Sequence, residues 1–185
     1  MYGDSSMLLE GTGASRKLGP IYDALEHKQY KLAYKLAKQA TQKYMKHLGL
    51  RALYAVTLER LGKIDEGLEV GRDVLRAMRN TGGGGKTGQE NGSGLDEGVV
   101  NTLTIVFKAA RRLDELQSTM EVIASEAKGP ESVGAHRSLF NACARTFSFL
   151  KMQQCAMKLF KKTQDETYLF WAVTSAYLQH NSGGG

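Results

Sequence analysis

LYAVTLERLGKIDEGLEVGRDVLRAMR, Leu53 to Arg79, reads as two amphipathic helices joined by a tight turn. Tyr54, Ala55, Leu58 and Leu61 recur at helical spacing. Gly62 is placed to stop the first helix, because glycine enters the left-handed backbone conformation without a steric penalty. Asp65 and Glu66 then fall in the first turn of a second helix, where the positive end of the helix dipole favours carboxylates. Leu68, Gly71, Val74, Leu75 and Met78 form the apolar stripe of that helix. The small residues Ala55, Gly67 and Gly71 would let the two helices approach closely.

The unit recurs. Upstream, Pro20 suits a first helical turn, and Ile21, Tyr22 and Leu25 follow it on one side. A second helix is expected from Tyr30 to about Tyr44, with Leu32, Ala33, Leu36, Ala37 and Ala40 on one face. Setting Lys28 against Gly62 pairs Tyr30 with Ile64, Ala33 with Gly67, Ala37 with Gly71 and Ala40 with Val74, an offset of 34 residues. Downstream, Arg112-Leu113-Asp114-Glu115-Leu116 mirrors Lys63-Ile64-Asp65-Glu66-Gly67 at an offset of 49. The excess is close to the length of TGGGGKTGQENGSG, Thr81 to Gly94, whose composition reads as a flexible insertion.

Beyond that insertion, helical pattern resumes near Asp96 with Val99, Val100, Leu103, Val106, Phe107 and Ala110. Its partner carries Leu116, Met120, Ile123 and Ala124. After Gly129-Pro130, a helix from about Ser132 to Phe147 carries Leu139, Phe140, Ala142, Cys143 and Phe147. Its partner runs from Met152 to about Lys162, with Met152 lying 36 residues after Leu116. A ninth helix spans Glu166 to about Gln179. Paired helices with a period near 34 resemble tetratricopeptide (TPR) repeats. The expected fold is therefore all-α, an α-solenoid of about four TPR-type helix pairs plus one extra helix, each pair burying its apolar face on its neighbours. Residues 1–17 are expected to be disordered, 18–180 to form the array with its glycine-rich loop at 81–94, and 181–185 to be a flexible tail. Tyr168, Leu169, Phe170, Trp171, Val173, Tyr177 and Leu178 load the ninth helix too heavily for a polar cap. Either another protein covers this face or the chain is a fragment of a longer array, and the fragment is the expectation.

At 42% hydrophobic and 24% charged residues, the 185-residue chain suits one domain or a short array. No apolar run reaches the roughly 18 residues of a membrane span. The start, MYGDSSMLLEGTG, lacks the basic and apolar regions of a secretory signal, so a cytoplasmic protein is the expectation. Cys143 and Cys155 are the only cysteines, too few for a disulfide framework and without metal-ligand spacing; buried reduced thiols are expected. Net charge is +6, most of it before residue 80, which permits contact with nucleic acid.

Little in the chain points to chemistry. GGGGKT, Gly82 to Thr87, resembles a phosphate-binding loop, but that pattern needs a glycine at Asn80 and a preceding strand where a helix is expected. His27, His47, His136 and His180 are scattered and form no i, i+4 pair, so no metal, cofactor or catalytic residue is assigned. The informative feature is basic. Lys31, Lys35 and Lys38 share one face of the second helix, Lys43 and Lys46 continue it, and no acid lies between Tyr30 and Lys46. A solvated surface explains such lysines, and so does contact with ribosomal RNA or an acidic partner. Phe170 and Trp171 are likewise open to two readings, packing between repeats or an exposed anchor for a partner.

The order of segments resembles the N-terminal TPR region of the auxiliary subunit of the NatB N-terminal acetyltransferase complex. The resemblance rests on Pro20-Ile21-Tyr22-Asp23 with Leu25, on Leu61-Gly62-Lys63 with Glu66, and on Leu103-Thr104-Ile105-Val106. It rests further on Lys151-Met152-Gln153-Gln154, Ala156-Met157, Leu159-Phe160-Lys161 and Tyr168-Leu169-Phe170-Trp171-Ala172-Val173. It covers about residues 18 to 180; the glycine-rich insertion departs from it, and members of that family are much longer. The resemblance implies a non-catalytic scaffold holding a separate acetyltransferase subunit of the GNAT type. It implies placement at the ribosome and acetylation of nascent chains beginning Met-Asp, Met-Glu, Met-Asn or Met-Gln. The alternative is a generic TPR adaptor for a peptide. Inner positions such as Ala52, Ala55, Val100 and Leu103 lack the lysine, arginine and asparagine that clamping a carboxylate requires.

Overall fold

The computed structural model describes residues 13–82, 97–129 and 131–182, and among these all regular structure is helical. A 3-10 turn at Ser15–Lys17 leads into α1 (Leu18–Glu26), α2 (Tyr30–Lys43), α3 (Leu48–Arg60) and α4 (Ile64–Gly82). Then follow α5 (Glu97–Ala109), α6 (Leu113–Glu126), α7 (Glu131–Arg145), α8 (Phe149–Thr163) and α9 (Glu166–Ser182). Most of the expected disordered start, glycine-rich loop and tail falls on 1–12, 83–96 and 183–185, outside the described residues.

The offsets read from the sequence reappear as backbone geometry. Lys28, Gly62, Arg111 and Phe147 take φ values of 57°, 79°, 56° and 55°, and their spacings are the 34, 49 and 36 residues found above. In each case the next residue donates its amide back to the fifth residue before it: Gln29 to Ala24, Lys63 to Leu58, Arg112 to Phe107 and Ser148 to Cys143, at 2.8–2.9 Å. This is the left-handed closure that returns a chain after a helix. Only Gly62 adopts it free of Cβ strain.

Contacts group the chain into two compact units, 1–74 and 75–185. In the first, Ala14, Ile21, Ala37, Ala40, Leu50 and Leu53 form a buried cluster with Leu18, Leu25, Leu36, Tyr44 and Tyr54 packed around it. The α2 contact is made by Ala33, Ala37 and Ala40, while Leu32 and Tyr22, expected on buried faces, are each 45% exposed. Small side chains set the helix spacing, so the larger ones beside them have no room inside. Between α3 and α4 the approach is closer still: a Cβ on Gly67 would lie 2.8 Å from the carbonyl oxygen of Ala55.

In the second unit, successive helices from α5 to α9 pack on one another. Val99, Leu103, Val106, Phe107, Leu116, Met120, Leu139, Cys143, Met152, Cys155 and Leu159 are buried, and both thiols are free as expected. Gln117, on α6, is buried and accepts from Thr146 Oγ1 (2.5 Å) and Ser148 Oγ (3.0 Å). Phe147 departs from the sequence reading. It is not on the buried stripe of α7 but in the turn after it, 74% exposed. The helix ends at Arg145 and the left-handed closure turns the ring away from the core.

Candidate partner-contact surfaces

Because α2 buries its alanines, its outer face is left to long polar side chains. Lys31, Lys35 and Lys38 all lie exposed there. None of the three takes part in an ion pair among the described residues. Lys38 Nζ sits 5.8 Å from the centre of the Tyr34 ring, a spacing at which a cation is held by the ring face. Tyr34 in turn packs at 5.6 Å on Tyr54, whose phenol is pushed up to about 12 by burial and then by its hydrogen bond with Tyr34. At the far end of α2, Lys17, Gln39, Lys43 and Tyr44 line a cavity of ≈ 230 Å³ with Pro20, Leu36 and Ala40. Lys43 Nζ lies 5.5 Å from the Tyr44 ring. The surface is cationic along the helix and can neutralise a run of phosphates or carboxylates; it holds no group placed for bond-making.

In the second unit, the aromatic pair of α9 divides. Trp171 packs edge-on against Phe140 at 6.1 Å, and Tyr168 meets the same ring at 6.3 Å. Arg137 Nε donates to Tyr168 Oη at 3.0 Å, and Arg137 Nη1 to Glu97 at 3.1 Å, tying α9 and α5 to α7. Phe170 instead is 65% exposed, and Val173 and Tyr177 stand out beside it at 65% and 67%. Residues 170, 173 and 177 share one helical face. Thus the tryptophan, still 37% exposed, joins helices within the unit, while the phenylalanine meets it at 5.8 Å and belongs to an open apolar stripe. Lys31, Lys35 and Lys38 lie in one compact unit and Phe170 and Trp171 in the other.

The sequence reading overlooked one polar cluster. Buried His136 donates from Nδ1 to the Ser132 carbonyl oxygen at 2.7 Å, and Lys162 Nζ donates to Ser132 Oγ at 2.6 Å. Lys162 lies 26 residues from His136, so only the tertiary packing reveals the cluster. With Nδ1 committed to a backbone oxygen, the imidazole cannot take a proton from Ser132, and the cluster is structural. Burial lowers the His136 pKa below its ordinary 6.5, the charges of Lys162 and Lys158 add to that, and the hydrogen bond to Ser132 opposes it. The unfolded chain therefore takes up a proton near pH 6.5 that the folded chain resists, so acid favours unfolding. Urea midpoints should fall between pH 7.5 and pH 5.5, and His136→Gln should shrink that fall; an equal fall in both proteins would contradict the assignment.

Among the described residues, no three side chains capable of ligating a metal come together, and no helix is long and apolar enough to cross a membrane.

Comparison with known proteins agrees with the helical repeats. The N-terminal acetyltransferase B complex auxiliary subunit NAA25 of Arabidopsis thaliana is 34% identical over 172 residues, 92% of this chain and 15% of that protein. The Homo sapiens N-alpha-acetyltransferase 25, NatB auxiliary subunit, is 30% identical over 164 residues, 89% of this chain and 15% of that protein. The chain thus spans about 15% of the length of the curated relatives it matches. Among solved structures, that of Naa15/Naa10 bound to HypK-THB aligns with a TM-score of 0.57 at 19% identity, over 92% of this chain and 23% of that one. A structure of nearly identical TPR-like repeats from Podosopora anserina aligns at 0.52 and 12% identity, over 92% and 90%. These last two likenesses are of fold, and they bear out the all-α solenoid of helix pairs. A family model described as "Psidin, N-terminal TPR repeats region" matches residues 15–185, so the chain belongs to the Psidin family through that TPR repeat region.

Proposed function

We propose that this chain supplies the N-terminal repeats of a non-catalytic auxiliary subunit in a NatB-type N-terminal acetyltransferase complex. The similarity to two NatB auxiliary subunits across about nine-tenths of the chain carries the reading. On it, the repeats scaffold a GNAT-type catalytic subunit in the cytoplasm, and the complex acetylates nascent chains beginning Met-Asp, Met-Glu, Met-Asn or Met-Gln. The glycine-rich segment at 81–94 is then a tolerated insertion in an array covering 18–180. Lys31, Lys35 and Lys38 form the face offered to ribosomal RNA, supported by their exposure and by the lack of a carboxylate partner among the described residues. Phe170 and Trp171 mark the helix end offered to a protein partner, supported by the open apolar stripe beside them.

The experiment is acetyl transfer from acetyl-coenzyme A to a Met-Asp peptide. The purified protein alone should show none, and activity should appear when its GNAT-fold partner is added. Transfer by the protein alone would overturn the reading.

A further inference from the structure

The cavity at the end of α2 is lined by charge of one sign. Lys17, Gln39, Lys43 and Tyr44 bring its polar atoms, and Leu36 and Ala40 are among its apolar residues. No carboxylate lines it among the described residues, and neither lysine takes part in an ion pair there. Two ammonium groups, an amide NH₂ and a phenol O–H can all donate hydrogen bonds. The Tyr44 hydroxyl makes none among the described residues. The complement of such a lining is an acceptor that carries negative charge.

The frame of the cavity is built into the fold. Leu36 and Tyr44 pack against the buried cluster of the first unit, and Ala40 belongs to it. Gly13 runs so close to the phenol that a Cβ there would lie 2.7 Å from Tyr44 Oη. The Lys17 amide donates to the carbonyl oxygen of buried Ala14 at 3.0 Å, and the Lys43 ammonium is steadied by the Tyr44 ring. One effect opposes an anion. The negative end of the α2 dipole, about half an elementary charge, lies at this end of the helix. The Ala40 carbonyl there already accepts from the Tyr44 amide at 2.9 Å, and two full positive charges outweigh the dipole.

We propose that this cavity binds a phosphate monoester carrying one small apolar group. Above pH 7 such an ester has close to two negative charges and three strong acceptor oxygens, one charge for each ammonium group. Lysine meets phosphate as a point charge, without the fork geometry that favours carboxylates at arginine. A carboxylate or a sulfate ester carries one charge and leaves the second ammonium uncompensated. The apolar group packs on Leu36 and Ala40. At ≈ 230 Å³ the cavity falls below the roughly 300–1,000 Å³ of drug-sized ligands, so it suits a single ring or a short alkyl chain rather than a nucleotide. Lys31, Lys35 and Lys38 do not line it, and the site does not rest on the ribosomal RNA reading.

The test is a saturation-transfer NMR titration of phenyl phosphate against the intact protein that carries this chain. Phenyl sulfate, of the same shape with one charge fewer, and phenol are the controls. Phenyl phosphate should bind saturably, phenyl sulfate at least about tenfold more weakly and phenol not measurably. Lys17→Gln and Lys43→Gln should each weaken phenyl phosphate by about tenfold, and Tyr44→Phe, which keeps the ring under Lys43, by severalfold. The two lysine variants should melt with the wild type, because both side chains are exposed. Replacing Lys31, Lys35 and Lys38 together by glutamine should leave the binding unchanged. A phosphotyrosyl peptide of otherwise neutral residues separates the two sources of such an ester: binding as tight as that of phenyl phosphate assigns the site to a phosphorylated protein, and weaker binding assigns it to a free small molecule. The proposal is overturned by no saturable binding of phenyl phosphate, by equal binding of phenyl sulfate, by unchanged binding in Lys17→Gln and Lys43→Gln, or by an equal loss in the Lys31, Lys35 and Lys38 variant.

Discussion

Gly67→Val lowers the stability of the protein by about 3 kcal/mol, read as a fall of several degrees in melting temperature. The first carbon of any side chain at this position lies 2.8 Å from the Ala55 carbonyl oxygen and 3.5 Å from the Glu59 amide nitrogen. These are backbone atoms of α3, so relief requires moving the helix, not turning a side chain. Valine's better helix propensity returns only about 0.5 kcal/mol of that loss. Gly134→Ala in α7 is the matched control. Nothing lies within 4 Å of its Cβ position, and replacing a helical glycine there should stabilise by up to about 1 kcal/mol. The two glycines look alike in the sequence; the helix opposite decides the sign. Equal effects from both substitutions would show that α3 and α4 do not meet as described.

Reversing charge at Lys31, Lys35 and Lys38 to glutamate together is expected to reduce ribosome co-sedimentation roughly a hundredfold at about 50 mM salt. Each lysine that meets a phosphate contributes about one unit to the dependence of log affinity on log salt, so the variant's slope should be flatter by two to three. The fold should survive, because all three side chains are exposed and the α2 contact is made by Ala33, Ala37 and Ala40. Unchanged co-sedimentation at low salt would remove ribosomal RNA from the reading and leave these lysines as solvated surface.

The helix pairs were legible because their determinants are local. The repeat offsets of 34, 49 and 36 residues are the spacings of the left-handed closures at Lys28, Gly62, Arg111 and Phe147, although only Gly62 is readable from its own residue type as a helix stop. Side-chain burial was less legible. Leu32 and Tyr22 fit a hydrophobic stripe by spacing, yet the alanines of α2 make the contact and leave them partly in water. Phe147 misled for a related reason: helical periodicity extended α7 two residues too far and hid an aromatic that faces solvent. His136 gave no signal at all, because its environment depends on Lys158 and Lys162, brought in by α8. Among the candidate contact residues, the basic face was readable from lysine spacing alone. That Trp171 reaches the Phe140 ring while Phe170, among the described rings, meets only Trp171 follows from where Phe140 lies across the helix contact.

The central claim, that these repeats belong to a scaffold for a separate acetyltransferase, is tested most directly by affinity capture of the protein that carries this chain under native conditions. The account predicts near-stoichiometric recovery of a GNAT-fold subunit, with the captured complex acetylating Met-Asp and Met-Glu peptides in preference to Ser- and Ala-initiated ones. Recovery of no acetyltransferase-fold partner, or of a complex without that preference, would contradict it.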